Sequence, residues 1–183
     1  MKKRSGIAVL VGLLLSAMTS ALYAAEAPAV REKVAFAWGA NISGNVDMSD
    51  HDLSALGLNA EFGMSWKYLR FLGIGAEGLM MVNGSNRCFP IFVNVRTDFS
   101  KTRRLLFLDL RGGTSLNYFN NNSQETGAYF SGGFGITLAT GKSFSSHIIM
   151  AYTYIGQEKC YIGDYERNCP GISMVTLKLG VSF

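Results

Sequence analysis

From residue 33 onward the chain repeatedly places an apolar side chain at every second position. Lys33 to Ser43 sets Val34, Phe36, Trp38, Ala40 and Ile42 against Ala35, Ala37, Gly39, Asn41 and Ser43. Ala55 to Trp66 sets Leu56, Leu58, Ala60, Phe62, Met64 and Trp66 against Gly57, Asn59, Glu61, Gly63 and Ser65. Successive side chains on a strand point to opposite faces, so a period of two predicts a two-faced β-strand. The same pattern recurs over Arg70 to Val82, Pro90 to Phe99, Arg104 to Tyr118, Gly127 to Ala139 and Phe144 to Ile155. It recurs last in SMVTLKLGVSF, where Val175, Leu177, Leu179, Val181 and Phe183 alternate with Thr176, Lys178, Gly180 and Ser182. Eight strands are predicted.

The connectors between these segments alternate as well: a long one, then a short one such as KYL, SKTR or TGKS, through the whole chain. An even strand number with short turns at one end and longer loops at the other is the pattern of a transmembrane β-barrel. About 11 residues per strand, at ~3.3 Å rise and ~40° tilt, span roughly 28 Å. That matches the apolar band of such barrels, which is about 25 Å tall. The expected fold is therefore all-β, an eight-stranded antiparallel up-and-down barrel.

Alternation does not say which face is inside, but the chemistry of the second face does. It carries Glu61, Glu77, Arg96, Asp98, Asp109, Arg111, His147 and Lys178 among many Gly, Ser, Thr and Asn. In a bilayer a sheet must close to satisfy its backbone, and its apolar face must look outward. Glu61, Glu77, Arg96, Asp98, Asp109, Arg111 and Lys178 are then expected to form an interior charge network, since charges removed from water need partners. Aromatics fall near the strand ends, with Trp66, Tyr68, Phe99, Phe144 and Phe183 toward the short turns and Tyr118, Tyr129 and Tyr154 toward the loops. That placement is expected of two interfacial girdles.

The first residues change the charge balance. Met1-Lys2-Lys3-Arg4, the apolar run Ile7 to Leu15 and the small residues Ala21, Ala24 and Ala25 read as a secretory signal peptide. Residues 1–24 are expected to be removed, leaving a short periplasmic segment at 25–32 and the barrel domain at 33–183. The leader carries three of the 17 basic residues and none of the 13 acidic ones, leaving 14 against 13. The basic pI thus reflects targeting and gives no reason to invoke nucleic acid. In the connectors the short turns are basic (Lys67, Lys101, Arg103, Lys142) and the long loops are richer in acid.

These features, with the wording PIFVNVRTDF, RRLLFLDLRGGTSLNYF, GAYFSGGFGITL and IIMAYTYIG, resemble small Gram-negative outer-membrane barrels of the OmpA and OmpX kind. They are similar to the outer-membrane β-barrel family common in Bacteroidetes. The resemblance implies a multi-pass barrel in the outer membrane, with outer-membrane lipid as its surroundings. It also implies that Val175, Leu177, Leu179, Val181 and Phe183 are read by the barrel-assembly machinery.

Three cysteines remain: Cys88, Cys160 and Cys169, all expected in outer loops. Export brings oxidising conditions, so a Cys160–Cys169 disulfide stapling the longest loop is expected. Cys88 is the odd thiol, free or competing for one of the pair. No zinc spacing is present, and the acidic stretch Asp47 to Asp52 lacks the glycine and downstream Glu of a calcium loop. No metal or cofactor is expected. The expected role is non-catalytic: structural, or surface interaction with an unidentified ligand through the loops. Three alternatives stand beside it: a narrow pore, a secreted soluble ligand-binding barrel, or a lipid-modifying barrel enzyme using His51, Asp52 and Ser85.

Overall fold

The structure, a computed structural model, describes residues 34–48, 53–66, 69–82, 86–99, 105–119, 123–141, 143–156, 160–162, 165–167 and 171–183. The expected signal peptide, 1–24, and the expected segment 25–32 lie outside these residues. Ten strands follow one another: β1 (Ala35–Asp47), β2 (Ala55–Ser65), β3 (Phe71–Met81), β4 (Arg87–Asp98), β5 (Leu106–Phe119), β6 (Ser123–Thr140), β7 (Ser145–Ile155), β8 (Cys160–Ile162), β9 (Tyr165–Arg167) and β10 (Ile172–Ser182). Eight of them close into one antiparallel barrel in the order β1-β10-β7-β6-β5-β4-β3-β2, while β8 and β9 form a separate two-stranded hairpin in the longest connection. No helix of the structure is long and apolar enough to cross a membrane.

The first and last barrel strands close the sheet. They pair from Gly39↔Ser182 to Asp47↔Met174. Beyond that register, the N–H of Trp38 donates to the carbonyl of Phe183 at 3.2 Å and the N–H of Phe183 to that of Trp38 at 2.8 Å. Their rings stack at 4.3 Å between centroids. The barrel thus has no free edge, which is the condition for a sheet in lipid.

Burial alternates along the barrel strands in the sense opposite to that of a soluble protein. Phe36, Leu58, Ile74 and Phe134 are 60–68 % exposed, whereas Glu61, Asp109 and Lys178 are at 0 %. Large apolar side chains cover the outside and charged ones fill the lumen.

The strands exceed their expected limits mainly at the loop end: β1 runs on to Asp47, β4 starts at Arg87 and β6 at Ser123. These extensions carry Asn, Asp, Ser and Gln, which break the apolar alternation but pair through the backbone just as well. Two placements correct the expectation. Cys88 is not in a loop; it is a buried free thiol in β4. Tyr129 does not join an outer girdle, because in β6 it points inward and is 2 % exposed.

Candidate functional site

The lumen is the one place where chemistry-bearing side chains converge among the described residues. Its contents are set by register. Arg96 of β4 lies directly opposite Asp109 of β5, and Asn94 opposite Arg111. Asp109 and Arg111 are two residues apart and therefore share a face. Asp109 takes both guanidinium groups: Arg96 Nε donates to Oδ2 at 2.7 Å and Arg111 Nε to Oδ1 at 2.9 Å.

Glu61 reaches the same cluster from β2, across β3. The residues of β3 that lie between are Gly73 and Gly75, paired with Gly63 and Glu61 on one side and with Asn94 and Phe92 on the other. With no side chain in the way, Asn94 Nδ2 donates to Glu61 Oε2 at 2.8 Å. A methyl group at Gly75 would sit 2.7–2.8 Å from the Phe92 ring, so the position must stay bare. Arg96 Nη2 approaches Glu61 Oε1 to 2.6 Å without a directed hydrogen bond, and Arg111 Nη2 lies 3.6 Å from Oε2. Those two contacts are Coulombic. Two cations and two carboxylates make a neutral cluster, the only kind the interior of a barrel tolerates cheaply.

Aromatic rings sandwich this cluster along the barrel axis. On the loop side the Arg111 guanidinium lies 4.9 Å from the Phe92 ring centre. On the turn side Arg96 lies 5.4 Å from Phe71 and 5.9 Å from Phe107. These distances fall within cation–π range. Arg70 caps the turn end, 4.3 Å over Phe107, with Nη1 3.0 Å from Asp98 Oδ1 and Nη2 donating to Thr137 Oγ1 at 2.7 Å.

The seven charged residues expected in one network fall into three groups. Glu61, Arg96, Asp109 and Arg111 form the cluster just described. Asp98 belongs to the Arg70 cap, which periodicity gave no reason to single out. Glu77 and Lys178 stand apart from both, joined by hydroxyls and one amide. Lys178 Nζ donates to Ser131 Oγ at 3.1 Å, and Thr153 Oγ1 donates to the same oxygen at 3.0 Å. Thr176 Oγ1 lies 2.8 Å from Thr153 Oγ1 and 2.7 Å from Asn45 Oδ1. Asn45 Nδ2 donates to Ser43 Oγ at 3.2 Å, and Ser43 to Glu77 Oε1 at 2.7 Å. Tyr129 donates its hydroxyl to Glu77 Oε2 at 3.1 Å. Among the described residues no carboxylate pairs with Lys178. His147 sits in a further short chain, Nε2 2.7 Å from Asn41 Oδ1, while Asn41 donates to Asn59 at 2.6 Å.

The loop end of the lumen holds a feature that the sequence reading missed. Ala55, Leu79, Met81, Cys88, Phe92, Tyr129, Ile155, Ile172 and Met174 pack into one cluster, each 5 % exposed or less. The interior was expected to be small and polar throughout; its outer part instead sets this hydrocarbon beside the buried polar residues Asn45, Ser115 and Asn117. The signal was present at inward positions of the alternation itself, where Leu79, Met81, Ile155, Ile172 and Met174 occupy sites that elsewhere hold Gly, Ser or Glu.

Other expected sites fall partly or wholly outside the described residues. His51, Asp52 and Ser85 do, as do Cys169 and the side chain of Cys160. Of the acidic stretch, Asp47 is described: its Oδ2 accepts the N–H of Leu53 at 3.1 Å, closing the base of the first loop. Val175 and Leu179 point outward on β10 and Phe183 just after it, with Leu177 and Val181 half-buried beside them.

A closed eight-stranded antiparallel barrel, greasy outside and charged within, is the fold class of outer-membrane barrels. Among solved structures the chain is similar to Neisserial surface protein A, with a TM-score of 0.60 and 17 % identity over 82 % of this chain and 98 % of that one. It is also similar to the N-terminal β-barrel domain of Pseudomonas aeruginosa OprF, with a TM-score of 0.49 and 11 % identity over 80 % and 97 % of the two chains. No family model and no curated protein matches the chain.

Proposed function

We propose that this protein is a non-catalytic resident of a Gram-negative outer membrane, with termini in the periplasm and the loop end at the cell surface. The observation that carries this reading is the inverted burial: an apolar exterior around a lumen filled by neutral ionic and hydrogen-bonded groups. A soluble ligand-binding barrel needs an apolar interior with room for its ligand and a polar outside. Here the apolar part of the interior is packed on itself and the outside would be insoluble. A pore reading requires an open path, whereas Phe71, Phe107 and the hydrocarbon cluster that includes Phe92 lie buried in the lumen at successive levels. The role is then structural, or recognition of a surface ligand through the loops.

The β8–β9 hairpin supports one further element of this reading. Its register places Cys160 opposite Arg167, and Cys169 follows two residues later in the chain. A Cys160–Cys169 disulfide at the base of this hairpin would restrain the longest loop by about 2–3 kcal/mol. Mass analysis of peptides under non-reducing conditions should show the bond.

The test of location is fractionation with a heat-shift gel. The protein should sediment with outer membranes and migrate differently before and after boiling. Recovery as a soluble periplasmic protein with one mobility would overturn the proposal.

A further inference from the structure

The exterior of the barrel carries one charge among its described outward-facing positions. Every other outward residue whose side chain is described, from Val34 just before β1 to Phe183 after β10, is apolar, glycine, serine, threonine or tyrosine. The exception is Arg87, exposed at the loop end of β4. It does not belong to a loose loop. It is held in the ladder on both sides, opposite Met80 of β3 and Tyr118 of β5.

Its surroundings define a small site. Phe89, two residues further along the same face, meets Tyr118 edge-on at 5.9 Å, which fixes the phenol ring beside the arginine. Below them the outward ladder of β4 continues as Ile91 and Val93, each at least half exposed. Among the described residues the Arg87 guanidinium has no carboxylate partner, and the Tyr118 hydroxyl has no hydrogen-bond partner. A cation and a phenol therefore stand side by side at the upper margin of an apolar wall.

We propose that Arg87 and Tyr118 bind the phosphate of an outer-leaflet lipid headgroup, specifically a phosphate monoester on a glycolipid. This rests on the reading that the exterior faces lipid. The chemistry follows from the geometry. A long amphipathic side chain at the edge of a membrane lays its stem along hydrocarbon and its head among the phosphates. The guanidinium fork matches two phosphate oxygens at once, and the hydroxyl supplies a third donor. A monoester carries more charge than the diester of an ordinary phospholipid, and so suits a cation that has no counterion in the protein. The acyl chains of the same lipid would lie against Phe89, Ile91 and Val93.

The test uses the full mature barrel in detergent micelles, offered diphosphoryl lipid A, phosphatidylglycerol or phosphatidylcholine, with bound lipid counted by native mass spectrometry. Lipid A should give the dominant one-lipid adduct. Arg87→Gln should lower that adduct about fivefold, the effect of roughly one basic residue at a charged membrane surface. Arg87→Lys should retain part of it, and Tyr118→Phe should lose less than Arg87→Gln. A heat-shifted band for each variant shows that the barrel has folded. An unchanged lipid A adduct in folded Arg87→Gln would overturn the proposal. So would an equal, Arg87-dependent adduct with phosphatidylglycerol, which would assign the site to phosphodiester lipids. Neither result would move the protein out of the membrane fraction, so failure here and failure of the location reading are separable.

Discussion

Toward its turn end the lumen holds an ionic cluster; toward its loop end it holds a hydrocarbon cluster beside hydrogen-bonded amides and hydroxyls. At the turn end Asp109 is clamped between Arg96 and Arg111 at 2.7 and 2.9 Å, and every group depends on the others for its counter-charge. At the loop end Leu79, Ile155, Ile172 and Met174 are just as buried and depend only on contact. Both halves are buried, but they fail differently. Removing one member of an ionic cluster strands a buried charge. Removing an apolar side chain leaves a hole that its neighbours can partly close.

The two halves should differ most at Asp109. Asp109→Ala leaves two guanidinium groups without their shared acceptor and should cost about 3–5 kcal/mol, read as a lower urea midpoint for barrel unfolding in lipid vesicles. The fourfold change Glu61→Gln, Arg96→Met, Asp109→Leu, Arg111→Met removes every charge of the cluster together and makes this half resemble the other one. It should recover most of that loss, because an apolar replacement of a whole ion cluster is often neutral or better. Failure to recover would mean that the cluster specifies strand register as well as filling space.

Leu79→Ala tests the hydrocarbon half. It should cost about 2–4 kcal/mol in the same titration, through lost burial and residual cavity. A smaller change, below ~1 kcal/mol, would show that the cluster is loosely packed and that the apolar interior has room for a guest.

Lys178 should respond least. Its ammonium donates to Ser131 and pairs with no described carboxylate, so Lys178→Met removes a costly desolvated charge along with a single polar contact. The net change should lie within about 1 kcal/mol of zero. A loss as large as that of Asp109→Ala would place Lys178 energetically in the ionic cluster, despite its separate hydrogen bonds.

The sequence carried the fold almost completely, because alternation is a local signal and the barrel is built of nothing else. Eight segments, their faces and the Arg96–Asp109 neighbourhood all follow from period and a short turn. What it hid is non-local. Glu61 meets Asn94 and Arg96 only because Gly73 and Gly75 leave the intervening strand bare, and that requires the register of three strands together. Asp98 leaves the central cluster because Arg70, at the turn end of β3, reaches it first. The hydrocarbon at the loop end escaped because an apolar residue at an inward position reads as a flaw in the alternation. Cys88 and Tyr129 were misplaced for a related reason: polar strand ends look like loops, and an aromatic near a strand end looks like part of a girdle.

Whether the apolar face meets lipid can be read directly, because the chain carries its own probes. Trp38 and Trp66 are its two tryptophans, Trp38 faces outward at 42 % exposure, and Trp66 follows the outward positions of β2. Their fluorescence can be measured in vesicles with brominated acyl chains, and again with iodide in the water. Strong quenching by the brominated lipid and little by iodide are expected of a lipid-facing exterior. Quenching by iodide with none from the brominated chains would contradict it.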